Sequence, residues 1–254
     1  MKKALNSKKN FIDIGHAGTA MRFLTSYFSI KKDREIILTG SKRMQERPIK
    51  ILVDALRKLG AKIVYQKNEG FPPIKIIGTD LMSKDISLSS NISSQYISSL
   101  MLLAPIIENG LRIKLIGKVT SEPYIKMTLE LLKELGINSI FKKNIIEIKP
   151  KKKINQVSYK VESDWSSASY FYSLIALCNE GEIVLNNFNK KSIQGDSCLA
   201  KIYYLLGVMT KFDNGRLILS KKKIEVKNEL NINLINSPDI AQTIAVTCLG
   251  LGLS

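Results

Sequence analysis

The stretch Asp13–Ser29, DIGHAGTAMRFLTSYFS, sets the small residues Ala17, Gly18 and Ala20 around Thr19 and then opens an apolar run at Arg22. Small residues ahead of an amphipathic run let the backbone turn tightly into a helix. The first helical N–H groups are then left facing open space, which suits an anion. The same pairing of a small or polar turn with an apolar run returns as SSQYISSLMLLAP (93–105), SDWSSASYFYSLIAL (163–177) and SPDIAQTIAVTCL (237–249). With Gly18, Ser94, Ser166 and Asp239 aligned, the steps are 76, 72 and 73 residues. A second series runs from a polar start to a Leu-Gly stop: ERPIKILVDALRKLGAKI, SEPYIKMTLELLKELGINSI and IQGDSCLAKIYYLLGVMTKF. Its stops, Leu59-Gly60, Leu135-Gly136 and Leu206-Gly207, lie 76 and 71 residues apart. Two series sharing one period mark a repeated supersecondary unit.

Within the second series the apolar residues fall at helical spacing, Ile49, Leu52, Val53, Leu56 and Leu59 in one copy and Ile125, Leu129, Leu132 and Leu135 in the next. The glycine after the last leucine is a helix stop. Short β-rich stretches flank the helices: EIILTG, AKIVYQ, IKIIG, LRIKLIG, IIEIKP, GEIVLNNF and GRLILS. Each repeat therefore reads as strand, helix, strand, helix and one or two further strands, an α/β class, with roughly three and a half units in the chain. Part of a first domain, about two units and a leading fragment, is expected over residues 1–160, and part of a second over 161–254. The lysine-rich KPKKKINQVSYKVES is the expected crossing, and Phe28 to Lys32 is read as a turn between elements.

Composition narrows the function. The chain has 254 residues, 44% of them hydrophobic, enough for a substantial core in one or two domains. No apolar run approaches the roughly 20 residues that span a bilayer, and the charged start MKKALNSKKNF lacks the apolar stretch of a signal peptide, so no membrane and a cytoplasmic location are expected. Cys178, Cys198 and Cys248 have no metal-ligand spacing and are expected in the core. The formal charge is +17, yet only seven of the 39 basic residues are arginine, and the lysines are scattered rather than striped with aromatics. That argues against nucleic acid and leaves a compositional bias or small anionic substrates as the readings of the charge.

The ordered set GHAGTAMRFL, SKRMQERPIKILVDALRKLGA, SSQYISSLMLLAP, SEPYIKMTLELLKELG, VESDWSSASYF, SIQGD and SPDIAQTIAV resembles, in order and approximate spacing, the 5-enolpyruvylshikimate-3-phosphate (EPSP) synthase family. The resemblance implies repeated βαβαββ units in two inside-out barrel-like domains. It covers only the middle of the family's longer chains. An early segment with a Lys-Ser and an arginine, and a late one with a Lys-Glu-x-x-Arg motif, have no counterpart here, and the chain alone is expected to turn over little or not at all. The implied reaction uses no metal and no organic cofactor: the 5-hydroxyl of shikimate 3-phosphate adds to phosphoenolpyruvate, and phosphate leaves a tetrahedral intermediate. The complete enzyme is expected to be a monomer.

Read alone, AGTAMR is an ordinary capped helix, Arg47 a solvated arginine, SSQY a serine-capped helix, Tyr124 a buried aromatic and Asp239 an N-cap. The resemblance assigns them otherwise. Gly18 permits close backbone approach to phosphoenolpyruvate, with Thr19 placed to cap the helix and Arg22 to anchor it electrostatically. Arg47, ahead of Pro48 in an expected first helical turn, offers a forked guanidinium to the same substrate. Ser93, Ser94 and Gln95 contact shikimate 3-phosphate, Gln95 reaching both substrates, and Ser121 and Tyr124 serve shikimate 3-phosphate. Asp239 binds it and accepts the proton of its reacting hydroxyl. His16, Phe23 and Trp165 depart from the family's usual asparagine, proline and small residue, and a local hydrogen bond is expected for His16. An enolpyruvyl transferase acting on a nucleotide sugar shares the fold, although SSQY, SEPY and SPDIAQT together favour shikimate 3-phosphate. A non-catalytic anion-binding fragment, or half of a split protein, is the alternative from another class.

Overall fold

A computed structural model describes residues 1–83, 85–90, 92–120, 122–151, 153–223 and 229–253. They fall into two compact units: Met1–Thr120 with Thr128–Val157, and Ser121–Met127 with Ser158–Ser254.

The first unit opens with a short helix α1 (Lys2–Leu5) and then makes one pattern twice. The first pass is β1 (Phe11–Asp13), α2 (Gly18–Ser29), β2 (Glu35–Thr39), a one-turn α3 (Lys42–Gln45), α4 (Lys50–Lys58), β3 (Lys62–Tyr65) and β4 (Ile74–Ile77). The second is β5 (Asp85–Ser89), α5 (Ser94–Leu103), β6 (Leu111–Ile116), α6 (Glu122–Glu134), β7 (Ser139–Lys142) and β8 (Ile145–Ile148), with α6 belonging to this unit from Thr128 onward. The sheets are ordered β1-β2-β4-β3 and β5-β6-β8-β7. In each, the first two strands run parallel, joined through a helix, and the other pairings are antiparallel. Identical order and direction in two sheets is the structural form of the sequence repeat.

Alternation of side chains decides which face of each sheet is covered. Along β6, Leu111, Ile113 and Leu115 are buried, while Arg112, Lys114 and Ile116 face out. Arg112 there pairs with Asp85 at 2.8 Å and Glu147 at 3.0 Å on the neighbouring strands. Helix α4 turns Leu52, Val53 and Leu56 fully inward, as its spacing dictates, and stops at Gly60 (φ +99), with Gly136 (φ +66) ending α6 in the same left-handed conformation.

Helices α2 and α5 lie side by side and parallel. The hydroxyls of Ser26 and Ser99 are 2.5 Å apart, and Ser99 Oγ donates to the Arg22 carbonyl at 3.0 Å. Small hydroxyl side chains let the two backbones approach and satisfy each other in the core. Phe23 does not interrupt α2, which continues to Ser29, so the turn expected from Phe28 begins only at Ile30.

The second unit contains α7 (Trp165–Leu177), β9 (Glu182–Asn186), α8 (Leu199–Tyr204), β10 (Val208–Asp213), β11 (Arg216–Lys221) and α9 (Ala241–Gly250). Its sheet, β10-β11-β9, is antiparallel throughout and reproduces the third, fourth and second strands of the repeat. Helices α7 and α9 pair as α2 and α5 do, through Ser169–Thr243 and Ser173–Thr247, both 2.8 Å and 74 residues apart in sequence. Trp165 is fully buried, its ring edge-on to Phe188 at 5.2 Å. Cys178, Cys198 and Cys248 are free and only partly buried, packed against the margin of this core rather than inside it.

Candidate active site

In the first unit, the parallel pairing of α2 and α5 brings their N-termini together. Gln95 Nε2 donates to Thr19 Oγ1 at 3.1 Å, linking the first turns of both helices. Thr19 is therefore not the cap expected of it. The N-cap is Ala17, with no side-chain bond, and Ser93 caps α5 by position only, its hydroxyl making no cap bond. Unsatisfied N–H groups at two adjacent helix starts are a ready site for negative charge.

Two guanidiniums converge on this place. A Cβ on Gly18 would fall inside the van der Waals shell of Arg47 Nη1, and 2.9 Å from both Arg47 Cζ and Arg22 Nη1. Only hydrogen at this position leaves room for Arg47. Arg22 is 5% exposed, and its Nη1 donates to the Gly18 carbonyl at 2.8 Å. Arg47 is exposed, and among the described residues neither arginine has a carboxylate within ion-pair distance. Pro48 precedes the N-cap Ile49 instead of occupying the first helical turn, and its carbonyl accepts a 2.6 Å bond from Tyr96. That bond ties the segment carrying Arg47 to α5. His16 makes the local contact expected of it, Nδ1 lying 2.8 Å from Ser41 Oγ. Ser93 is exposed and Ser94 half-buried at the start of α5.

The second unit gathers carboxylates instead. Tyr124, near the start of α6, donates to Asp239 Oδ2 at 2.8 Å. Gly195 permits this approach, because a Cβ there would lie 2.7 Å from Pro123 Cβ and 3.1 Å from the Asn236 carbonyl. Burial and the bond to Asp239 push the Tyr124 phenol well above its ordinary value, so it stays a donor. Asp239 sits in a 3-10 turn, Pro238–Ile240, ahead of α9 and makes no cap bond. The aspartate that does cap a helix is Asp164, which accepts from the N–H groups of Ser166 and Ser167. Asp196 is 3% exposed: Ser166 Oγ donates to its Oδ2, while Oδ1 has no partner among the described residues. Burial, with Asp239 and Asp164 adding to it, raises the Asp196 carboxyl above the usual carboxylate range. Glu162 holds the surrounding turn, accepting from Trp165 Nε1 at 3.1 Å, Asn189 N at 2.7 Å and Ser192 Oγ at 2.6 Å.

Of the residues singled out in sequence, Gly18, Arg47 and Gln95 thus meet at one place in the first unit, with Ser93 and Ser94 beside Gln95 on the chain. Tyr124 and Asp239 meet in the second. Ser121 lies outside the described residues. Asp196, Glu162 and Gly195 were not singled out individually. The signal was present in SIQGD, but spacing alone does not say that its aspartate is buried. Among the described residues no group of three or more His, Cys, Asp or Glu side chains is arranged to hold a metal ion, and no helix is long and apolar enough to cross a membrane.

Comparison with known proteins gives a consistent picture. A family model described as EPSP synthase (3-phosphoshikimate 1-carboxyvinyltransferase) matches residues 1–251. The chain is 44% identical over 249 residues to a 3-phosphoshikimate 1-carboxyvinyltransferase of Bacteroides fragilis, covering 98% of this chain and 60% of that one. It is 38% identical over 240 residues to the protein of that name from Histophilus somni, covering 93% and 54%. A solved EPSP synthase from Acinetobacter baumannii superposes with a TM-score of 0.72 at 20% identity, over 95% of this chain and 55% of that one, a likeness of fold. The chain spans between half and three-fifths of the length of these relatives.

Proposed function

The chain belongs to the EPSP synthase family, and we propose that it serves the transfer of the enolpyruvyl group of phosphoenolpyruvate to the 5-hydroxyl of shikimate 3-phosphate, with release of phosphate. The observation that carries this reading is the convergence of Arg47 and Arg22 on Gly18, with no carboxylate among the described residues in ion-pair distance of either. Like charges held together beside helix N-termini are stabilised by an anion, and phosphoenolpyruvate carries both a carboxylate and a phosphate. Gly18, Arg47 and Gln95 are its proposed ligands. Ser93, Ser94, Gln95, Ser121, Tyr124 and Asp239 are the proposed ligands of shikimate 3-phosphate.

Chemically, the 5-hydroxyl oxygen bonds to C2 of phosphoenolpyruvate while C3 gains a proton. The C2–O bond to phosphate then breaks, and C3 gives a proton up, restoring the double bond in the product. Asp239 is the proposed acceptor of the hydroxyl proton, with the Tyr124 hydroxyl bond fixing which carboxylate oxygen is left to do it. These steps are proton transfers and addition–elimination, which side chains perform by placing charge where it develops. The same reading makes the working enzyme a cytoplasmic monomer that acts on small molecules alone, with residues 1–160 as part of its first domain and 161–254 as part of its second.

The acceptor is tested by calorimetric titration of the chain, loaded with phosphoenolpyruvate, with shikimate 3-phosphate and separately with a uridine diphosphate sugar. Saturable binding of the first alone is expected. Preference for the nucleotide sugar would refute the acceptor assignment.

A further inference from the structure

Among the described residues Arg22 is a buried cation without a counter-charge. Its guanidinium is 5.8 Å from the Tyr96 ring centroid, its Nη1 donates to the Gly18 carbonyl and lies 4.0 Å from Met44 Sδ, and its Nε has no hydrogen-bond partner among the described residues. One carbonyl and one aromatic face offset only part of the cost of taking a guanidinium out of water. A buried arginine that served the fold alone would be expected to have a carboxylate partner. Arg22 has none among the described residues, and its Nη1 lies within about 5 Å of the Nη1 of Arg47, a second positive charge. The anion-free protein therefore carries two unfavourable features at one spot, a partly unsatisfied buried cation and a like-charge contact. Both are relieved by negative charge placed over Gly18.

We infer that Arg22 is a positioning residue of the anion site, acting from beneath Gly18: its charge drives the Arg47 guanidinium outward over the helix N-terminus and adds to the field that holds the anion. This rests on the reading of Gly18 and Arg47 as that site. The consequence is a trade of stability against affinity. Arg22→Met keeps the length and the packing on Tyr96 but removes the charge, so the anion-free protein should melt at the same temperature or higher while its anion affinity falls. Arg22→Lys restores the charge without the planar fork, and so should recover most of the affinity.

The experiment is a thermal melt and a calorimetric titration with phosphoenolpyruvate of the 254-residue chain and both variants, with inorganic phosphate as a second probe. Expected are saturable binding by the wild type, at least a 10-fold loss in Arg22→Met with an undiminished melting temperature, and recovery to within a few-fold in Arg22→Lys. Equal affinity in wild type and Arg22→Met would overturn the inference and leave the site standing. So would a lowered melting temperature in Arg22→Met and Arg22→Lys with affinity equally lost in both, which would make Arg22 a structural prop. No saturable binding by the wild type would overturn the site itself.

Discussion

Replacing Gly18 by alanine separates what the fold needs from what the anion site needs. Gly18 is the first residue of α2 and has no left-handed backbone, so alanine fits its conformation. The new methyl, however, would lie 2.9 Å from Arg47 Cζ and from Arg22 Nη1, and closer still to Arg47 Nη1. Van der Waals contact needs about 3.5 Å, so the guanidinium of Arg47 must retreat by about 1 Å. Because Arg47 is an exposed, flexible side chain, that retreat costs the fold little, and the few tenths of an ångström that buried Arg22 must yield fall on the far end of its side chain. The substitution also lowers the entropy of the unfolded chain, worth about 0.4–1 kcal/mol of added stability. For the ligand the retreat is expensive: hydrogen bonds to charged groups contribute about 1.5–3 kcal/mol each, and weakening one corresponds to roughly 10- to 100-fold in affinity. Calorimetry with phosphoenolpyruvate beside a denaturant melt reads both quantities. Unchanged affinity in a folded Gly18→Ala protein would refute the claim that Gly18 sets the position of Arg47. A loss of more than about 2 kcal/mol of stability would refute the claim that the crowding falls on a yielding side chain.

Arg47→Ala should weaken phosphoenolpyruvate binding by about 1.5–3 kcal/mol while changing shikimate 3-phosphate binding far less, checked by parallel titrations. Asp239→Asn, which keeps size but cannot accept a proton at neutral pH, should leave the melting temperature within a few degrees. In any preparation that turns over, it should cut the rate by about 100-fold or more in a steady-state assay. Asp196→Asn tests the buried carboxylate. A carboxyl whose folded value is raised binds its proton more tightly folded than unfolded, so its contribution to stability is full in acid and is lost as pH climbs through the raised value. The asparagine variant should therefore gain stability relative to wild type at pH 7, with the difference shrinking as pH falls into the ordinary carboxylate range, as melts across pH would record.

The repeat was legible because two different signals shared one period. The Leu-Gly stops and the small-residue helix starts recur together, and the folded protein uses that spacing directly: Gln95 bonds Thr19, Ser99 meets Ser26, and Thr243 and Thr247 meet Ser169 and Ser173. Less legible were β1, β5, β7 and β10. Strand β1 has only three residues, and β7 places no fully buried side chain among Ser139–Lys142, so neither leaves an apolar signature. Capping judged from residue type alone fails for a related reason. Thr19, Ser93 and Asp239 are good cap residues at helix starts, yet Thr19 and Asp239 bond to other helices' side chains and Ser93 makes no cap bond. Local propensity cannot register a tertiary partner lying 76 or 115 residues away in sequence. Arg22 and Asp196 show the same limit, since their interest lies in being buried without full pairing, a property of packing rather than of residue type.

If the proposed site is real, anions bind at the N-terminus of α2 and not diffusely on a chain of charge +17. That condition is tested most directly by following backbone amide and arginine side-chain resonances while phosphoenolpyruvate is added at constant ionic strength. Saturable shifts are expected, confined to Gly18, Thr19, Arg22, Arg47 and Gln95 and absent when chloride replaces phosphoenolpyruvate. Shifts scattered over the surface lysines, or none at Gly18 and Arg47, would contradict the proposed site.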